Sequence, residues 1–222
     1  MKITFFNSLP STQEYLVAQI RRGAINCECC IVAETQSKGI GSRGNKWEGV
    51  ESGLYFSFAL RLDSLPKDLQ TQSMAIFFAF NFMQTLRECG SRIWLKYPND
   101  LFLGKNKIGG VMCGVVGDFA VCGIGLNVVA DKFAHLEPQI GESLGANSKE
   151  YDFDLVQKFL QGYFARLKHC SWGAVFSAYS AEFHKNYDFS FHANGEILSL
   201  KNATLCNDGA IKVGDKIIYC AR

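Results

Sequence analysis

The chain has 222 residues, 48% of them hydrophobic, with 23 Lys and Arg against 21 Asp and Glu, a formal charge of +2. That length is ample for the buried core of one large domain, or of a large domain with a small companion. The near balance of charge excludes a surface built throughout to grip a nucleic-acid backbone, though it leaves room for a local cationic site, and the apolar content excludes disorder.

Met1 to Pro10 carries one charge and too few consecutive apolar residues for a secretory signal. The longest apolar stretch, Met74 to Phe80, is far below the roughly 18–20 residues that span a bilayer. A cytoplasmic protein with no membrane and no nucleic-acid partner is expected. Ser11-Thr-Gln-Glu14 matches a capping box and predicts a helix to about Arg22. Cys29 to Glu34 reads as a buried strand. Periodicity stops between Gln36 and Gly53, where glycines recur at 39, 41, 44, 49 and 53. Leu54 to Arg61 alternates as a strand does. Pro66 is expected to open a long apolar helix ending near Gly90.

Arg92 to Lys96 and Leu101 to Leu103 read as strands around a Pro-Asn-Asp turn at 98–100. A hairpin turn is expected at Gly104 to Lys107. Val111–Val116 and Phe119–Val129 should pair across Gly117-Asp118, so the middle of the chain is an antiparallel meander. The apolar stripe of Leu155, Val156, Phe159, Leu160, Tyr163, Phe164 and Leu167 predicts an amphipathic helix. A second helix is expected from Trp172 to Lys185. From Gly195 the tail reads as short strands around Asn207-Asp-Gly209 and Val213-Gly-Asp215, a small β domain docked on the rest. Helices and strands in blocks argue an α+β fold. The expected division is 1–186 and 187–222.

Nine cysteines are the loudest compositional feature. Six sit singly in apolar segments, and Cys27-Glu-Cys29-Cys30 has no second ligand pair at the spacing of a zinc site. Reduced thiols acting as small hydrophobes are expected, in preference to a metal or redox module.

Four segments carry chemistry. Gln36-Ser-Lys-Gly-Ile-Gly-Ser-Arg-Gly-Asn-Lys-Trp47 combines glycines that expose backbone N–H groups, three cations, no acid and a terminal aromatic plane. It is not a Walker loop. Lys96-Tyr-Pro-Asn-Asp100 presents an amide and a carboxylate at a strand end, although alone it reads as a turn. Lys107-Ile-Gly-Gly110 offers a point charge beside glycines that allow close approach, and Gly123-Ile-Gly-Leu-Asn127 places glycines inside a strand.

In that order and spacing, from Ser11 to about Asn127, these segments resemble the biotin protein ligases. The most specific match is Lys-x-Pro-Asn-Asp followed seven residues after Asp100 by Lys107-Ile-Gly-Gly110. The family usually has Trp where Tyr97 stands. The resemblance implies a mixed sheet with helices of the class II aminoacyl-tRNA synthetase/biotin synthetase type, with a small SH3-like C-terminal domain. It implies a monofunctional form without the DNA-binding domain of the repressor members. It further implies use of ATP, Mg²⁺ and biotin. Biotinyl-5′-AMP would form first, and biotin would then pass to a lysine of a biotin carboxyl carrier domain.

By the same resemblance, Ser11, Thr12, Gln13 and Gln36 hold the biotin head group. Gly39, Ile40, Gly41, Ser42, Arg43 and Gly44 close over biotin and phosphate, with Gly110 and Gly123 also against biotin. Asn45, Trp47, Asn99 and Asn127 line the adenylate site with Arg43 and Gly44. Lys107 touches biotin carboxylate and α-phosphate, Arg43 assists, and Asp100 orients metal or the incoming lysine. The family loop commonly reads Gly-Arg-Gly-Arg-x-Gly, and here the arginines are replaced by Ile40 and Ser42. Loss of bidentate arginine predicts a loop that holds the adenylate more loosely, by roughly tenfold to a hundredfold. Ser42→Arg is therefore expected to slow release of preformed adenylate, and an unchanged off-rate rejects the idea. A lipoate or octanoate ligase of the same fold and a non-catalytic biotin sensor are the competing readings. An exposed sheet edge would offer a surface for a homodimer, a state the sequence does not decide.

Overall fold

In this computed structural model, residues 1–41, 47, 52–129, 146–147, 150–193 and 195–219 are described. Strand β1 (Lys2–Leu9) leads through helix α1 (Thr12–Arg21) to β2 (Cys29–Gln36), and these two strands pair in parallel. Ser11 caps α1, its hydroxyl accepting from the Glu14 backbone N–H at 3.3 Å. β1 is a strand beyond those expected from the sequence. Its signal is the run Ile3-Thr-Phe-Phe6, rich in strand-forming types.

After β3 (Ser52–Arg61) and the helix that follows it comes the expected meander of β4 (Trp94–Lys96), β5 (Asp100–Leu103), β6 (Asn106–Val116) and β7 (Phe119–Val129). They complete a seven-stranded mixed sheet in the order β1-β2-β3-β7-β6-β5-β4. Every pairing beyond β1–β2 is antiparallel.

One face carries α1 over a small core of Leu9, Leu16, Ile31, Ala33, Ala59 and Val121. The other carries helix α2 (Met74–Glu88), backed in turn by α3 (Phe153–His169) and α4 (Trp172–Glu182). Because α2 lies between the sheet and other helices, its first two turns are apolar all round, and Met74 to Phe80 are all buried.

The helix expected from Pro66 begins only at Met74. Residues before it are held elsewhere: Asp68 accepts from the backbone N–H groups of Gly173 (2.8 Å) and Trp172 (3.2 Å), at the start of α4. The Gly173 bond holds the Asp68 carboxyl below its usual range. The helix expected to reach Lys185 ends at Glu182 and tightens into a 3₁₀ turn, Phe183–Asn186. Among the described residues, no helix is long and apolar enough to cross a membrane.

The tail forms a hairpin, β10 (Ser190–Ala193) and β11 (Glu196–Ser199), and a three-stranded sheet of β12 (Thr204–Leu205), β13 (Ile211–Val213) and β14 (Lys216–Ile218). Between β7 and α3 along the chain come two further two-residue strands, β8 (Ala146–Asn147) and β9 (Glu150–Tyr151), which pair with each other. Phe191, Leu200, Ala203, Leu205 and Ile211 join the main core. Three side chains of the body also grip consecutive carbonyls of the Asn207–Gly209 turn. Trp172 Nε1 donates to Asn207 O (2.6 Å), Ser73 Oγ to Asp208 O (2.8 Å) and Tyr97 Oη to Gly209 O (3.1 Å). Tyr97→Phe is expected to lower stability by about 1–3 kcal/mol, because a buried carbonyl loses its donor. Urea denaturation should show a lower midpoint with unchanged slope; an unmoved midpoint would deny that bond a role.

Candidate active site

A sheet face normally carries a layer of side chains. At the centre of this one, four cross-strand neighbours have almost none. Ser57 on β3 pairs with Gly123 on β7, and two residues along β7, Gly125 pairs with Gly110 on β6. The missing volume is a cleft of about 490 Å³, open mouth included. Its walls are the start of α1, the chain after β2, and the turns flanking β5.

At one end the polar groups are neutral. Gln36 Oε1 accepts from the Thr12 backbone N–H (2.7 Å) and from Thr12 Oγ1 (3.1 Å), and Thr12 Oγ1 also lies 2.9 Å from Ser57 Oγ. Gln13 lies over Gly123, so close that a Cβ there would stand 2.7 Å from its Oε1. The first N–H groups of α1 are partly engaged by Gln36, Ser11 Oγ and Ser11 O. This end therefore suits a neutral group that both donates and accepts, rather than an anion.

The other end is charged and aromatic. Lys107 Nζ stands 2.6 Å from Asp100 Oδ1, and Lys96 Nζ 3.7 Å from Asp100 Oδ2. The bulge between Leu101 and Phe102 shifts the β5–β6 register, so that Lys107 faces Phe102 while Gly110 faces Asp100. Lys107 Nζ also lies 5.9 Å from the Trp47 ring centroid. Trp47 spreads over Gly125 and Gly110, where added Cβ atoms would stand 3.0 and 3.5 Å from its ring. Asn99 is fixed by two bonds to Val111, donating from Nδ2 to the carbonyl (2.5 Å) and accepting the N–H at its own carbonyl (2.9 Å). The nearby peptide Tyr97–Pro98 is cis.

Three buried side-chain atoms around this region have no hydrogen-bond partner among the described residues: Gln13 Oε1, Trp47 Nε1 and Asn127 Oδ1. Buried polar atoms are normally paired, so such a cluster marks groups that a ligand can satisfy.

Ser11, Thr12, Gln13, Gln36, Ile40, Gly41, Trp47, Asn99, Asp100, Lys107, Gly110 and Gly123 all line the cleft. Gly39 stands behind it, its carbonyl accepting from the Trp47 N–H at 2.9 Å. Asn127 lies outside the lining, farther along β7 on the face that carries Gly123 and Gly125. Ser42, Arg43, Gly44 and Asn45 are outside the described residues. Ser57, Val111 and Met112 line the cleft without having been singled out, and Ile124 and Gly125 line it from within the Gly123–Asn127 segment. Only register could have found Ser57, which is an unremarkable strand serine until Gly123 is placed beside it.

Among the described residues no group of three or more His, Cys, Asp or Glu is placed to hold a metal. Cys29, Cys30, Cys113 and Cys122 are buried, as expected for apolar packing, whereas Cys89, Cys170 and Cys206 are half-buried and Cys27 is exposed.

The model of the Biotin/lipoate A/B protein ligase family matches residues 5–127. The bifunctional ligase/repressor BirA of Escherichia coli is 33% identical over 127 residues, a match covering 54% of this chain and 38% of that protein. The chain thus spans well under two thirds of the length of the curated relatives it matches. The crystal structure of biotin acetyl coenzyme A carboxylase synthetase from Helicobacter pylori, with bound biotinylated ATP, is 44% identical. It superposes with a TM-score of 0.88 over 98% of this chain and 99% of that one. The biotin protein ligase of Aquifex aeolicus, in complex with biotin and ATP, is 21% identical with a TM-score of 0.71 over 98% and 94%, and shares the fold.

Proposed function

The chain belongs to the biotin/lipoate A/B protein ligase family, and from that premise we propose that it is an ATP-dependent biotin protein ligase. The observation that carries this reading is the two-ended cleft. A neutral donor–acceptor set at Thr12, Gln13, Gln36 and Ser57 suits a ureido ring, and Lys107 beside Trp47 suits a carboxylate meeting a nucleotide.

A carboxylate is a poor acyl donor until one of its oxygens belongs to a good leaving group. In the first step a biotin carboxylate oxygen attacks the α-phosphorus of ATP and pyrophosphate leaves. Two anions must meet for this, and Lys107 is the described cation in the cleft that can lie between them. In the second step a carrier lysine attacks the acyl carbon and AMP leaves. Asp100, held by Lys107 and Lys96, is the carboxylate placed to orient that amine. Mg²⁺ fits as an ion carried mainly by substrate phosphates, because among the described residues Asp100 is the one acidic residue of the lining and no group of three His, Cys, Asp or Glu is placed to cage it. When bound it would offset phosphate charge. Arg43, Gly44 and Asn45 belong to the adenylate side in this reading, with Asn127 farther along β7.

The same reading assigns residues 1–186 to the catalytic part and 187–222 to a small β domain. Support comes from the described residues after Asn186, whose regular elements are all short strands.

The deciding experiment offers the chain biotin or lipoate, with Mg-ATP and a biotin carboxyl carrier domain, and follows the carrier's mass. Addition of biotin to one lysine is expected. Addition of lipoate alone would move the assignment to the lipoate branch. Pyrophosphate release without any transfer would leave an adenylating enzyme whose acceptor is not that carrier.

A further inference from the structure

We propose that Cys113 and Cys122 form an oxidisable pair that closes to an intramolecular disulfide when the protein meets a small peroxide. The two residues are direct cross-strand partners on β6 and β7. The Cys113 thiol donates to Cys122 Sγ at 3.1 Å. The hairpin closes at Val116 and Phe119 across a two-residue turn, with Gly117 at φ 57. Counting back from that closing pair, hydrogen-bonded and non-hydrogen-bonded positions alternate, and 113/122 falls on a non-hydrogen-bonded pair. The Cα atoms of such a pair lie about 4.5 Å apart, inside the range disulfides span, and the sulfurs need close by only about 1 Å.

Access is unequal. β5 pairs with β6 only as far as Gly110. Beyond that point β6 has no neighbour from β5, and Cys113 is 9% exposed. Cys122, between β3 and β6, is fully buried at 0%. Cys113 is therefore the thiol a peroxide reaches and Cys122 the one that resolves.

The Cys113 sulfur, having released its proton, attacks one peroxide oxygen. The O–O bond breaks, Cys113 becomes a sulfenic acid and one water forms. Cys122 sulfur then attacks Cys113 sulfur, the S–O bond breaks, and the departing hydroxide takes the Cys122 proton as a second water. Two thiols are oxidised and one peroxide is reduced. A dithiol reductant reverses the bond by exchange. One residue along each strand stand Met112 and Gly123, themselves partners and part of the cleft lining, so the bridge fixes register directly behind the cleft. This thiol geometry is independent of what the chain ligates.

The full chain should be treated with hydrogen peroxide, alkylated under denaturing conditions and mapped by mass spectrometry. A peptide linking Cys113 to Cys122, lighter by two hydrogens and lost on reduction, is expected. It should form at least about tenfold faster in the folded chain than in urea, because the fold holds the sulfurs in contact. In Cys122→Ser, Cys113 should accumulate as sulfenic acid trapped by dimedone. In Cys113→Ser, Cys122 should remain alkylatable. The proposal is overturned if both thiols stay alkylatable while others oxidise, or if the link forms no faster than in urea. Dimedone labelling of Cys122 in place of Cys113 would overturn the order of attack. The wild-type map decides the central point even if neither variant folds.

Discussion

Lys107→Ala is expected to slow pyrophosphate release from biotin and ATP by about 10²–10³-fold, the usual cost of removing one preorganised charge-stabilising donor. The reason is positional. Lys107 sits at the start of β6, beside the turn, and its ammonium lies between the Asp100 carboxylate and the Trp47 ring. Its side chain is 46% exposed, so truncation opens no core cavity. The neighbouring Ile108 to Val111 keep their backbone pairing with β5 and β7. Folding should therefore survive, with an unchanged denaturation midpoint. Asp100 would keep Lys96 as a counter-charge at 3.7 Å. Lys107→Arg keeps charge but replaces a point donor with a planar fork, so partial recovery is expected. Stopped-time pyrophosphate assays at saturating biotin and ATP make the comparison. A Lys107→Ala protein that adenylates at the wild-type rate would remove Lys107 from the chemistry.

Gly123→Ala is expected to weaken biotin binding by about tenfold to a hundredfold, the equivalent of one or two hydrogen bonds of the head-group end. A Cβ at this position would meet Gln13 Oε1 at 2.7 Å and Ser57 Oγ at 3.1 Å. The Gln13 amide is the free end of a side chain and can swing aside, so the strand is spared and the cleft is not. ATP binding alone, which in the proposed reading uses the opposite end, should change little. Calorimetric titration of each substrate separates the two. Equal loss for both would point to a disturbed sheet, and loss for neither would show that the head group lies elsewhere. Gly109 is a contrasting position, because there the added Cβ would face Gly125 O, a backbone atom, at 2.9 Å. Gly109→Ala should therefore cost stability rather than affinity.

Much of the site was legible because chemistry-bearing residues fall at ends of elements the sequence marks clearly. The Ser11–Glu14 capping box announces α1, and it puts Thr12 and Gln13 at a helix start. The Pro-Asn-Asp turn and the Gly104 turn bracket β5, bringing Asn99, Asp100 and Lys107 together within a few residues. The start of α2 was misplaced because Pro66 is a genuine helix-opening signal whose segment is captured by a long-range partner. Asp68 serves α4, more than a hundred residues away, and local propensity holds no trace of that. β1 was missed for a related reason: it is an edge strand whose single partner, β2, is reached only through α1.

By itself the sequence determined the α+β class, the antiparallel meander, the order of the cleft-lining segments and, by resemblance, the family. These depend on period, turn chemistry and spacing, all of which are local. Only the tertiary structure decided which small residues share one patch of sheet. Ser57, Gly123, Gly125 and Gly110 come from three strands, and only their register empties a face into a cleft. It also decided that Trp47 covers that patch, and that Cys113 and Cys122, silent in composition, touch. Strand register is fixed by the sum of many distant side-chain contacts, so no stretch of chain carries it alone.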